Sequence, residues 1–197
     1  MDNRSLLKLA FDTLPPDAAL AQTAAFTNRA GWRHLHTLPA DADNGLEVVW
    51  QSADLTVELH FVQNDIAGVA YLALCGAPNA VAAASMDVRA ALPVVTLDEA
   101  LRRDRLNNPS AADLAALPGL LAVLGPPQYD ATVMHALADL LQAEDAQVRL
   151  RTLVAMACLG WLELRPLANA VAAADTEDAV RGRAADLLLS YDKVSQR

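Results

Sequence analysis

The sequence predicts an α+β fold: N-terminal helices with a small antiparallel β-meander, followed by a C-terminal α-helical repeat region. Three observations predict it. Residues 46–51 and 55–62 alternate apolar and polar side chains between turn signals, as strands do, and an apolar run at 69–75 follows. Residues 137–188 repeat themselves with helical spacing. Between these stretches, Asn107, Asn108, Pro109 and Ser110 form a breaker cluster. The domains expected are residues 1–108, α+β with three or four antiparallel strands, and residues 109–197, helical.

Taken in order, Leu6, Leu7, Leu9, Ala10 and Leu14 suggest a first helix. Pro15 and Pro16 end it, and Asp17 can open a second over residues 18–29, with Ala30 and Gly31 as its stop. Asn44 and Gly45 mark a turn. Residues 46–51 alternate as a strand, and Ser52 to Asp54 turn. Leu55, Val57, Leu59 and Phe61 then alternate with Thr56, Glu58, His60 and Val62, the pattern of a half-buried strand. Residues 69–75 are apolar on both faces, as a covered strand would be. Residues 32–38 could add a fourth strand, and the first two helices could cover the sheet. Residues 78–92 receive no assignment. Residues 93–96 read as extended, and Thr96 with Glu99 is a capping box opening a helix to about Leu106. Ser110 or Asp113 starts the repeat region.

The repeat is explicit. Asp145, Val148 and Arg149 recur thirty-two residues later as Glu177, Val180 and Arg181. In the upstream segment, Leu137 and Asp145 align with Leu167 and Asp175. Val148, Ala155, Met156 and Leu159 define one helical face, and Leu150, Leu153, Val154 and Ala157 a second. Such a helix is buried between neighbours. Val180, Ala184, Leu187 and Leu188 keep the spacing. Gly160 suits a C-cap, and Pro166 the start of the next helix. An acidic turn, then Val-Arg, then Leu159 and Gly160, resembles the short HEAT-like repeats of bacterial proteins, including those related to phycobilisome lyases. The resemblance covers about residues 111–197 and implies an α-helical solenoid. It also implies that the acids and arginines form a ladder between neighbouring repeats. The unit is shorter than the roughly 40 residues of a typical HEAT repeat, and residues 113–141 lack the Val-Arg pair.

Composition bounds the rest. The 197 residues are 54% hydrophobic, which argues against disorder, and carry a net charge of −9. Residues 1–100 hold 5 basic and 12 acidic side chains, and residues 101–197 hold 10 and 12. This balance favours neither nucleic acid nor an anionic membrane. Cys75 and Cys158 read as buried free thiols in a reducing compartment. The first residues lack the basic start and apolar run of a signal peptide, and the longest apolar stretch, residues 67–77, is too short to span a bilayer. A cytoplasmic protein is expected.

Chemistry is sparse. His34 and His36 would share a strand face, a spacing able to bind metal, but no third ligand follows, so no metal is expected. Glu58 and His60 also share a face and read as a surface pair rather than an acid–base couple. Asp130 and His135, with Tyr129 before them, read as a solvated stripe. Arg102, Arg103 and Arg105 sit among Asp98, Glu99 and Asp104, which favours local pairing over phosphate binding. No Gly-rich phosphate loop, CxxC, HExxH or GxSxG occurs.

No enzyme activity and no cofactor are therefore expected. The function expected is non-catalytic protein–protein interaction, in its most specific form a bacterial immunity protein masking a basic toxin or effector. The partner-binding candidates are His135, Asp139, Gln142, Glu163 and Asn169 on the helices, with Glu47, Glu58 and His60 on the sheet. The alternative is a lyase or small-ligand carrier built around Trp161, Arg165 and Tyr191, as the phycobilisome-lyase resemblance implies. Asp145, Arg149, Asp175, Asp178 and Arg181 are expected to be structural. Arg149 would meet Asp145 or Asp175, and Arg181 would meet Asp178 or Asp175.

Overall fold

The computed structural model describes residues 4–12, 14–41, 45–102 and 110–195. It is α+β, with six strands and eight α-helices among those residues. The chain divides into two compact units, Met1–Thr96 and Leu97–Arg197. The division falls before the helix that the sequence reading placed in the first domain; the breaker cluster at residues 107–109 lies outside the described residues.

The first unit runs β1 (Ser5–Phe11), α1 (Pro16–Arg29), β2 (Arg33–Leu38), β3 (Glu47–Gln51), β4 (Val57–Asn64), β5 (Val69–Gly76), α2 (Pro78–Ala91) and β6 (Val94–Val95). Its sheet is antiparallel, in the order β2-β3-β4-β5-β1-β6. The expected meander is present as β2 to β5, but the sheet is larger than the three or four strands expected.

The main correction is β1. Residues 5–11 form a strand, not the first of two helices. The strand is seated between β5 and β6, with Leu9 opposite Leu72 and Ala10 opposite both Tyr71 and Val95. The strand carries Leu7 and Leu9 on one face and Leu6 and Ala10 on the other, so its apolar side chains also fit a helical period. Pairing along two edges overrides local propensity.

Residues 78–92, which the sequence left unassigned, supply the second covering helix. Pro78 stands in the first turn of α2, where its missing N–H costs nothing. Val81, Ala84 and Val88 then recur on one face and are buried. They join Ala19 and Phe26 of α1 over Leu9, Phe11, Trp50, Leu59, Phe61, Leu72 and Leu74 of the sheet. Phe11 and Phe61 meet with ring centroids 6.3 Å apart.

The second unit is helical: α3 (Leu97–Arg102), α4 (Ala111–Leu124), α5 (Ala131–Leu140), α6 (Ala146–Leu159), a 3-10 turn (Leu162–Leu164), α7 (Arg165–Ala174) and α8 (Asp178–Ser195). Ser110 and Asp113 close a reciprocal capping box at the start of α4. Asp130 caps α5 and Asp145 caps α6 through their side chains. Gly160 ends α6 at φ 67°, a conformation costly for a residue with a Cβ. α6 packs against α4 and α8, and α7 against α8. Leu153, Ala155 and Met156 are buried accordingly, whereas Ala157, placed on an apolar face by the sequence, is exposed. Pro118 lies inside α4. Proline crowds the preceding turn, and Arg151 Nη1 donates to the Ala115 carbonyl in that turn at 2.9 Å.

The β3–β4 turn stores strain. Leu55 has φ 62° and is 61% exposed, so its side chain gains little in return. The turn is held by Ser52, whose hydroxyl accepts from the N–H groups of Thr56 and Val57 at 3.2 and 3.0 Å and donates to Asp54 at 2.7 Å. The Ser52 hydroxyl, then the Thr56 hydroxyl and N–H, donate to the Asp54 carboxylate and hold it below the usual range. Replacing Leu55 with asparagine, which tolerates this conformation, should stabilise the protein by about 1 kcal/mol and raise Tm by a few degrees in thermal unfolding. A lower Tm would mean that the leucine is held by contacts of its own. Gly45→Ala should do the reverse. A Cβ there would lie 1.6 Å from the Gln63 carbonyl oxygen, so β3 and β4 must separate where Gln63 N–H meets the Leu46 carbonyl. A loss of about 3 kcal/mol or more is expected, read by chemical denaturation.

Candidate interaction surfaces

Strand alternation and register place Lys8, Glu47, Glu58, His60, Tyr71 and Cys75 on the sheet face away from α1 and α2. Glu47 sits diagonally from His60 across β3 and β4, and its Oε1 lies 2.6 Å from His60 Nδ1. Glu58, the neighbour expected from the sequence, is farther, at 3.9 Å from Nε2, and is met by Arg4 at 3.4 Å. Lys8 Nζ stands 5.7 Å from the Tyr71 ring centroid. Burial pulls the Lys8 ammonium down, and burial with the charge of Glu47 pushes the Tyr71 hydroxyl up. Burial, then the charge of Glu58, also raises the Cys75 thiol. The chemistry of this cluster is that of a paired, half-buried polar patch. The sequence could not place Lys8 in it, because the cluster includes Lys8 only once β1 is a strand.

The helical candidates are all exposed. His135 and Asp139 stand one turn apart on α5, with Gln142 just beyond its end. Glu163 belongs to the 3-10 turn and Asn169 to α7. His135, Asp139 and Gln142 thus form one stripe. Glu163 and Asn169 come from separate elements. Asp130 accepts from the N–H groups of Thr132 and Val133 at 2.8 and 3.0 Å, so it serves as a cap.

The repeat arginines differ in depth. Arg149 is 8% exposed. Its Nε and Nη2 donate to the two oxygens of Asp175 at 2.8 and 2.9 Å. Its Nη1 donates to the carbonyls of Ala143 and Glu144 at 2.8 and 2.9 Å. Of the two partners expected, Asp175 is the one met; Asp145 is occupied with the Gln147 N–H at 2.8 Å. Arg181 repeats half of this pattern. Its Nη1 donates to the Asp175 carbonyl, six residues back as Ala143 is from Arg149, and its Nη2 meets Asp178. The Arg181 side chain is 37% exposed and that of Asp178 is 92% exposed.

Other sequence candidates land apart. A bulge in β2 pairs His34 with Trp50 but His36 with Val49, so the two imidazoles lie on opposite faces rather than one. His34 Nε2 is 3.0 Å from the Thr37 hydroxyl. Among the described residues, no group of three or more His, Cys, Asp or Glu side chains could hold a metal ion. Arg102 meets Asp98 at 2.8 Å; Arg103, Asp104 and Arg105 lie outside the described residues. Cys75 is half-buried and Cys158 exposed, so the expectation of buried thiols fails for Cys158. Trp161 and Tyr191 are buried, and burial pushes the Tyr191 hydroxyl up to about 12. Arg165 pairs with Asp192 at 2.6 Å. No helix among the described residues is long and apolar enough to cross a membrane. Comparison with family models, curated proteins and solved structures finds no match for this chain.

Two outcomes follow from the arginines. Arg149→Ala leaves the Asp175 carboxylate without its guanidinium, with the Glu177 N–H at 2.9 Å still donating to it, removes the donor to two carbonyls, and should cost about 3 kcal/mol; Arg181→Ala should cost under ~1 kcal/mol. Thermal unfolding of both variants checks the order, and an equal effect would mean that burial does not distinguish them. The second outcome concerns pH. The hydrogen bonds from Arg149 hold the Asp175 carboxyl below its ordinary range. Its stabilising contribution is therefore complete above the unfolded value, about 3.9, and is lost as pH falls through the lower folded value. The stability gap between the protein and Asp175→Asn should stay constant from pH 7 to about 5 and close below about pH 4. A gap that persists at pH 2 would assign the effect to shape rather than charge.

Proposed function

We propose that this chain is a non-catalytic protein-interaction module acting in the cytoplasm, whose helical unit stacks hairpins in a HEAT-like solenoid. The observation that carries the reading is the two-pronged Arg149–Asp175 pair. It ties the turn between α5 and α6 to the turn between α7 and α8, and so holds successive hairpins at a fixed angle. A fixed array presents side chains without the ordering cost that weakens flexible surfaces. On it, His135, Asp139 and Gln142 stand exposed beside the acidic Glu144 and Asp145.

In its most specific form the reading is an immunity protein that masks a basic toxin or effector. The charge of the first unit supports a basic partner only in general, because its acids are dispersed. Asp17 and Asp87 lie on α1 and α2, Asp54 and Asp65 at opposite hairpin ends, and Asp41 after β2, all exposed. The α5 stripe and its acidic turn are the more compact surface and are assigned the contact.

The experiment is affinity capture from the native host, with cross-linking mass spectrometry on the complex. One protein in stoichiometric amount, basic and cross-linked to α5, is expected. The double variant Asp139→Lys and Glu144→Lys should weaken binding at least tenfold while leaving Tm unchanged, and raising salt from low to high should weaken it as well. Cross-links confined to the sheet would move the contact to Glu47, Glu58 and His60. A catalytic turnover, or a co-purifying chromophore without a protein partner, would overturn the reading.

A further inference from the structure

We draw no further inference here: the strongest candidate, the side-chain cluster of Lys8, Glu47, His60 and Tyr71 on the sheet face turned away from α1 and α2, carries nothing because nothing in the structure shows what covers that face.

Discussion

A guanidinium buried as deeply as that of Arg149 cannot rely on water, so its N–H groups must find acceptors inside the protein. Four do, and the places they reach define the helical unit. Two go to the carbonyls of Ala143 and Glu144, in the turn that leads into α6. Two go to Asp175, at the end of α7. One side chain therefore fixes the turn before its own helix and the end of α7 together. An unpaired charge at this depth is costly, which is why arrangements that separate α6 from α7 are disfavoured. The same geometry explains why lysine would not serve, since a single ammonium cannot present a planar fork to a carboxylate.

Much of this unit was legible in the sequence because its signals are local. Ser110, read as a helix start, accepts from the Asp113 N–H three positions on, whereas Asp130, read as part of a solvated stripe, and Asp145, read as a partner for arginine, turn out to be caps. Gly160 and Pro166 act at their own positions. The repeat placed Arg149 and Arg181 at equivalent sites, and the structure gives each a carbonyl six residues back. The depth of the pairs was not legible. Burial depends on α4 and α8 closing around α6, which no spacing within α6 records.

The sheet was legible where alternation is one-sided and lost where it is not. β4 alternates cleanly because one of its faces meets α1 and α2. β1 does not, since Leu6 and Leu7 are neighbours on opposite faces and Ala10 is as buried as Leu9. Its leucines satisfy a period of 3.6 as readily as a period of 2. The error spread from there. With β1 read as a helix, Lys8 could not be brought beside Tyr71, and the polar face shrank to β3 and β4. The bulge at His34 to His36 has the same character. One extra residue moves His36 to the other face, and no residue type in the stretch announces it.

The contrast between Arg149 and Arg181 bears on what the helical unit can do. Both arise from the same repeat position, yet one is enclosed and the other is partly exposed. Arg149 holds an acid at the end of α7, and Arg181 turns to its own Asp178, three residues back, and to the Asp175 carbonyl. A charge answered locally contributes little to stability. A buried ion pair therefore ties the turn before α6 to the end of α7. The turn that follows the α5 stripe is clasped by the same guanidinium. The turn after α5 is thus held from inside by a buried fork, whereas the start of α8 is held by a partly exposed pair.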